Sequence, residues 1–464
     1  MRLLKLIPFV LLLGCPLANL LAAEREQPPH IIVLLADDLG WGDVSYHDGV
    51  IQTPHIDALA ERGTDLTQFY TQPVCSPTRA SFMTGRYPMR MGLQCGVIRP
   101  WATETHALPL DEQTLPEELK KVGYRTAVVG KWHLGHATPD YLPLQRGFDQ
   151  QYGHYNGMIE YFTHDREGGH DWFSNESPVK EEGYATDLMG AAAVRMIEEH
   201  DPNHPLFLYV PFNAPHTPLQ VPEDQIARNA HIVDPDRRIF AGMVTSMDDA
   251  IGKIVAAANT HLDRQNTLIF FFSDNGGWER YSSNGKFRGE KTNIYEGGIR
   301  VPAIMVWDGE VPANETVDEP LHVVDVYPTL LKLAGASPRQ IKPLDGKDVW
   351  PTVRDGAPTP HELIVHNVTP FHGAIRVGDW KLVRNGYNPA HTVTSMGEET
   401  WELFNMRDDP SESRNLVSAE PEIFQKLRTQ LFQIAGEAVA PHIASNTMPP
   451  DFEVPTIWGP ASSK

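Results

Sequence analysis

The sequence predicts an α/β fold, a mainly parallel sheet flanked by helices, with a smaller C-terminal α+β subdomain. Three observations carry that expectation. Residues 30–36 (HIIVLLA), 206–211 (LFLYVP) and 267–273 (TLIFFFS) are short continuous apolar runs, the pattern of strands buried on both faces. Helical patterns at 56–62, 114–122, 186–199, 241–258 and 324–333 are interspersed with these runs and with further strand segments at 125–129 and 303–307. Strands alternating with helices assemble into parallel sheets covered on both sides. Each apolar run also leads into a polar cluster: Asp37-Asp38, Asn213-Ala214-Pro215-His216 and Asp274-Asn275. Functional groups gather beyond the carboxyl ends of strands in such sheets.

In chain order, residues 1–23 read as an export signal, with Arg2 and Lys5 before the apolar stretch 6–13 and a small-residue cleavage zone at Ala22-Ala23. The run is too short for a spanning helix, which needs ~20 residues. Periplasmic release or secretion is expected, and lipid anchoring through Cys15 stays open. No later segment is apolar enough to cross a bilayer. The main domain is expected over 24–350. Residues 351–360, with three prolines and a glycine, read as a linker. The C-terminal subdomain spans 361–440, with strands at 374–384 and 400–405 and an amphipathic helix at 420–435. A Pro-rich tail, 441–464, is expected to wrap the surface.

The 464 residues carry 39 Lys+Arg against 60 Asp+Glu, a net charge of −21. That balance argues against a general nucleic-acid binder, which needs clustered cations. With 41% hydrophobic and 21% charged residues, the chain is also no disordered polymer. Only three cysteines are present, one of them in the leader, so a disulfide scaffold is excluded.

One cysteine stands out. In Cys75-Ser76-Pro77-Thr78-Arg79, Pro77 suits the first turn of a helix, which places Cys75 near that helix's positive end. Here the sequence resembles the sulfatase family, in which Cys-x-Pro-x-Arg marks a cysteine oxidised to Cα-formylglycine. A second signature stands as Gly123-Tyr124-Arg125-Thr126-Ala127-Val128-Val129-Gly130-Lys131-Trp132-His133. The resemblance spans about 30–440 and is nearest to the arylsulfatase B (N-acetylgalactosamine-4-sulfatase) type, through LLADDLGWGD, TQPVCSPTR, VGKWHLG and PHTPLQVP. It implies an alkaline-phosphatase-like core, a maturation enzyme that generates formylglycine, and a sulfated carbohydrate or aryl sulfate as substrate. A hydrated aldehyde has two hydroxyls on one carbon, one to attack sulfur and one to expel sulfate by C–O cleavage. An ordinary Ser or Cys lacks that exit.

The same resemblance assigns the remaining residues. Asp37, Asp38, Asp274 and Asn275, with the modified Cys75, are the expected metal ligands. Hard oxygen donors favour Ca²⁺ or Mg²⁺ over Zn²⁺, and three carboxylates on one ion suit Ca²⁺. A single Asp after a strand is ordinarily a turn or helix cap. Tandem Asp mirrored by Asp274-Asn275 is another matter, because unit charges ~4 Å apart repel by about 4 kcal/mol at an effective dielectric of 20. Arg79 is expected to hold the formylglycine hydrate, and Lys131 and Lys291 the sulfate oxygens. His216 is the expected acid for the leaving oxygen and His133 the base for the second hydroxyl. Outside such motifs a His or Lys is ordinarily a surface or hydrogen-bonded residue.

Recognition beyond sulfate is weakly encoded. The aromatic- and His-rich segment 152–173 reads either as a sugar-stacking rim or, more simply, as a packed connector. Trp101 and the stretch 94–106 are similarly placed, and Cys95 reads as an inert thiol. Two rival activities remain at this level: a phosphonate or phosphate monoester hydrolase on the same architecture, and a catalytically silent carbohydrate-binding relative.

Overall fold

A computed structural model describes residues 27–102, 106–337, 342–386, 399–442 and 447–460. The leader, with Cys15, lies outside the described residues. The apolar runs form the middle of the main sheet: β1 (His30–Ala36), β2 (Arg125–Lys131), β3 (Gln150–His154), β4 (Leu206–Pro211) and β5 (Thr267–Ser273). They are mutually parallel in the order β5-β1-β4-β2-β3. The edges run otherwise. β6 (Ala303–Val306) pairs antiparallel with β5, and Phe173–Ser174 pairs antiparallel with β3.

Alternation along β1 shows why the central strands are apolar throughout. Ile31, Val33 and Leu35 pack with Phe82, Leu119 and Leu330 on one face. Ile32 and Leu34 pack with Met189, Val244 and Ile251 on the other. The first layer contains α1 (Cys75–Thr84), in which all ten residues are buried. The second contains α2 (Ala185–Glu198) and α3 (Pro235–His261). These two helices approach closely where Gly190 faces Ala250, since a Cβ on Gly190 would lie 2.8 Å from that of Ala250.

Three sequence expectations are corrected here. α3 begins at Pro235 rather than 241, capped by Asp234, whose Oδ1 accepts from Arg237 N at 2.8 Å. Its first turn, Pro-Asp-Arg-Arg, is polar and so lacks the apolar period that marks a helix. The segment 351–360 is only half linker, because Trp350–Asp355 is a helix with Pro351 in its first turn and Gly356 as a left-handed cap. The single strand expected over 374–384 is a hairpin. After β7 (Ile364–Val368), β8 (Gly373–Val377) turns at Gly378, φ +55°, into β9 (Trp380–Asn385), which pairs with β10 (Thr400–Asn405). α4 (Pro421–Ala435) covers this antiparallel sheet through Leu427 and Leu431.

The tail segment 447–460 lies against the main domain, where Trp458 N donates to His170 O at 2.8 Å. No helix among the described residues is long and apolar enough to cross a membrane.

The two sheets are tied together by a buried charge cluster. Lys381 Nζ, on β9, is 2.8 Å from Glu296 Oε1 and 2.7 Å from Glu412 Oε1, with all three side chains at 0% exposure. Removing one partner of such a cluster strands buried charge, at a cost of about 3–5 kcal/mol. Lys381→Met should therefore lower unfolding free energy by about that amount. Urea denaturation at neutral pH checks it, and an unchanged midpoint would show that the cluster contributes nothing to docking.

Candidate active site

The β1–β5 register pairs Ala36 with Ser273, so the residues that follow both strands emerge side by side. Asp274 N donates to Ala36 O at 3.0 Å and Asp37 N to Ala214 O at 3.0 Å, which binds the ends of β1, β4 and β5 into one rim. Asp38 is left-handed, φ +68°, with its amide 3.3 Å from Asp274 Oδ1. His133 is also left-handed, φ +58°. Such backbone strain in non-glycine residues concentrates at functional sites.

α1 delivers residue 75 to this rim. Cys75 is the helix's first residue, and its Sγ lies 3.6 Å from Asp37 Oδ1. Arg79 is one turn further on the same face. Its Nε and Nη2 donate to Asp274 Oδ2 at 3.1 and 2.8 Å, and its Nη1 to Lys131 O at 2.8 Å. Lys131 Nζ donates to Asp37 Oδ2 at 2.6 Å, and Lys291 Nζ to Asp38 Oδ2 at 2.8 Å. His216 follows β4 with Nε2 3.6 Å from Asp38 Oδ2. Asp37, Asp38, Cys75, Arg79, Lys131, His216, Asp274 and Lys291 thus converge on one cluster.

The ring nitrogens can be assigned from their partners. His133 Nε2 lies 2.9 Å from the carbonyl of Ile98, so it carries the proton, and Nδ1 is left without a partner. Burial, then the charges of Lys131 and Arg79, hold this ring well below its usual range. In His216 the proton sits on Nδ1, 2.7 Å from Thr217 O. Burial and Lys291 push that ring down to about 3 against the pull of Asp38.

The carboxylates are under electrostatic stress. Burial, then Asp37, raise Asp274 to about 6 despite Arg79. Burial also raises Asp38, but Lys291 and His216 outweigh it and hold the group at about 2. Asn275 donates through Nδ2 to Asp38 Oδ1 at 2.8 Å, while its own Oδ1 is buried with no hydrogen-bond partner. An orphaned buried acceptor beside three carboxylates is the donor set of a hard cation. Asp37, Asp38, Cys75 and His216 also offer ligand atoms within 4.8 Å of one another. These residues could hold a hard divalent cation such as calcium. The Cys75 thiol, by contrast, is pushed up to about 12 by burial against Lys131 and Lys291, so it is no thiolate.

Above the cluster opens a cavity of about 400 Å³, large enough for a small molecule. Cys75, His133, His216 and Lys291 line its floor. The segment 152–173 is a packed connector: Tyr152, Tyr155, Tyr161 and Trp172 are buried, and the cavity meets Gly157, Met158 and Arg166 instead. The stretch 94–100 forms a wall, without Trp101. Cys95 sits on that wall, where burial pushes its thiol up to about 12. Arg99 and Arg166 fall inside the candidate stretches 94–106 and 152–173 without having been singled out there, and sequence reasoning missed Trp278, Asn367 and His372, also on the walls. Trp278 had a readable signal, an exposed aromatic just past Asp274-Asn275-Gly-Gly. Asn367 and His372 arrive from the second sheet and had none.

Residues 29–336 match the Sulfatase family, and residues 285–437 match the family described as N-sulphoglucosamine sulphohydrolase, C-terminal. The chain belongs to the sulfatase family. It is 36% identical to arylsulfatase J of Mus musculus, across 89% of this chain and 76% of that protein. It is 31% identical to N-acetylgalactosamine-6-sulfatase of Sus scrofa, across 93% and 90%. The crystal structure of Ps i-CgsB in complex with k-i-k-neocarrahexaose superposes with a TM-score of 0.81 at 32% identity, over 89% of this chain and 94% of that one. This sulfatase is accordingly a sulfuric ester hydrolase with an alkaline-phosphatase-like fold. Neither relative is named as a 4-sulfatase, so the subtype that the sequence motifs resemble is not confirmed.

Gly157 marks how tightly His133 is held in the sulfatase site. A Cβ there would lie 2.4 Å from His133 Cε1 and Nε2. Gly157→Ala should push the ring off Ile98 and cut turnover of an aryl sulfate by about 10²-fold, with little change in thermal midpoint. Full activity would show that the ring position does not matter.

Proposed function

We propose that this sulfatase removes sulfate from a sulfated sugar, with Cys75 converted to Cα-formylglycine and calcium held by Asp37, Asp38, Asp274 and Asn275. The observation that carries the reading is the seat of residue 75, at the first position of a buried helix and 3.6 Å from Asp37 Oδ1. A hydrated formylglycine would supply paired hydroxyls, one as nucleophile and one for release of sulfate, and calcium would supply positive charge for the sulfate oxygens.

The chain's own residues do the rest. Arg79 fixes the geometry, joining the helix that carries residue 75 to Asp274 and to the end of β2. Lys131 and Lys291 hold sulfate oxygens once a cation shares the carboxylates they now neutralise. His216, with Nδ1 held on Thr217 O, presents Nε2 toward the cavity as the acid for the leaving oxygen, and a sulfate group against Lys291 would remove one of the two main causes, after burial, that depress the ring. His133 is neutral with Nδ1 bare, the state required to accept a proton leaving residue 75.

A sugar substrate is supported by the 400 Å³ cavity with Trp278 on its wall, and by relatives named for N-acetylgalactosamine 6-sulfate and for a neocarrahexaose complex. Oxidation of Cys75 has to precede folding, because residues 75–84 are all buried and a maturation enzyme could not grip them in the native state. Export is proposed with this reading, on the pattern of Arg2, Lys5 and the apolar stretch 6–13.

Two measurements check the proposal. In protein from its native host, the peptide carrying residue 75 should have exchanged H₂S for O by mass spectrometry, and Cys75→Ala should abolish turnover while remaining folded. An unmodified thiol in an active enzyme would overturn the assignment. Added Ca²⁺ should raise the thermal midpoint and a chelator lower it. Asp274→Ala and Asn275→Ala should lose that shift together with activity, and a variant that keeps both would leave the ligand set.

A further inference from the structure

Lys291, on the cavity floor, is carried by a loop whose neck is closed by Gly297 N donating to Arg288 O at 2.7 Å. Inside the loop the backbone is strained. Thr292 is left-handed, φ +79°, a conformation that a β-branched residue keeps only where its surroundings over-determine it. The main domain supplies part of that constraint. Lys291 N donates to Gly277 O at 3.2 Å, and Thr292 N to Pro73 O at 2.8 Å, just before α1.

The rest comes from the C-terminal subdomain and is applied at the neck. Glu402, on β10, accepts from Arg288 Nη1 at 3.0 Å through Oε1 and from the Tyr295 hydroxyl through Oε2. That hydroxyl in turn accepts from Asn385 Nδ2, on β9, at 2.6 Å. The Arg288 guanidinium lies over the Tyr295 ring, 4.0 Å from its centroid, and Nη1 also donates to Glu412 O at 3.1 Å. Glu296 N, the next amide along, donates to Glu412 Oε2 at 2.7 Å. One sheet thus grips the loop on both sides of Lys291. A partly exposed ion pair such as Arg288–Glu402 adds little to the stability of a fold. Its consequence here is geometric, because it joins two points that fix where Lys291 stands.

We propose that Glu402, acting through Arg288 and Tyr295, is a positioning residue for Lys291, so that a strand of the C-terminal sheet sets the geometry of the sulfate site. Glu402 itself does not line the cavity. The inference rests on the reading of Lys291 as a holder of sulfate oxygens.

The test compares hydrogen exchange and turnover in the full-length enzyme. In Glu402→Ala, the amides of Lys291 and Thr292 should exchange about tenfold faster than in wild type, while the central strands keep their protection. With an aryl sulfate, kcat/KM should fall by about tenfold to a hundredfold. Glu402→Gln, which keeps an acceptor for Tyr295, should restore part of that loss. The loss should vanish in a Lys291→Met background, because an effect that travels through Lys291 has nothing left to act on. Unchanged exchange in the loop, or a loss as large in Lys291→Met as in wild type, would overturn the assignment. Where Lys291→Met has no measurable turnover, the exchange rates and the rescue by Gln decide. Should Glu402→Ala fail to fold, Tyr295→Phe, which removes one hydroxyl from the same contact, carries the comparison. The two readings fail separately: Lys291→Met with full activity sinks the sulfate role of Lys291, whereas exchange in the loop still decides whether Glu402 holds it.

Discussion

Three carboxylates forced together at the ends of two adjacent parallel strands are the constraint on which the site depends. The ladder between β1 and β5 leaves Asp37, Asp38 and Asp274 no room to separate. The chain answers with cations from three other places: Arg79 from a buried helix, Lys131 from the end of β2, and Lys291 from the loop after β5. Charge is balanced in this way, but Asp274 still sits near 6 and Asn275 Oδ1 stays unpaired. Balance by lysines is therefore incomplete, and a hard divalent cation would relieve the residual stress.

The fold serves this arrangement through what it buries. Apolar side chains on both faces of β1 make the sheet rigid where the aspartates leave it. α1 has no exposed residue, so residue 75 and Arg79 are presented by an element that cannot shift without disturbing the core. The strained backbones of Asp38 and His133 fit the same account, because left-handed residues persist only where their surroundings over-determine them.

Much of this was legible in the sequence, and the limit has a physical cause. Apolar runs ending in Asp-Asp or Asp-Asn report a buried strand and its functional end in one local pattern, so the central sheet and the cluster residues could be read directly. Elements whose definition is not local were harder. The 374–384 hairpin hides its turn in Gly378-Asp379 within an otherwise strand-like segment, and α3 starts with a polar turn. Cavity walls were harder still. Arg99, Arg166 and the pair Asn367 and His372 come from three distant segments, and only tertiary packing brings them to one space. The aromatics of 152–173 drew attention as a rim for the opposite reason. Their composition suits sugar stacking, but Trp172 is used as core, stacked on His164 with centroids 4.5 Å apart.

A net charge of −21 is at first sight ill suited to capturing polyanions. Distance resolves the conflict. At physiological salt the Debye length is ~8 Å, so exposed carboxylates beyond it contribute little inside a cavity. What an incoming anion meets is the local set, with Lys291 on the floor and Arg99 and Arg166 on the walls. These groups sit in a lower dielectric, where each charge counts for more than at the surface. The acidic exterior then acts on approach rather than on binding, slowing capture of highly sulfated chains at low salt more than it weakens the complex.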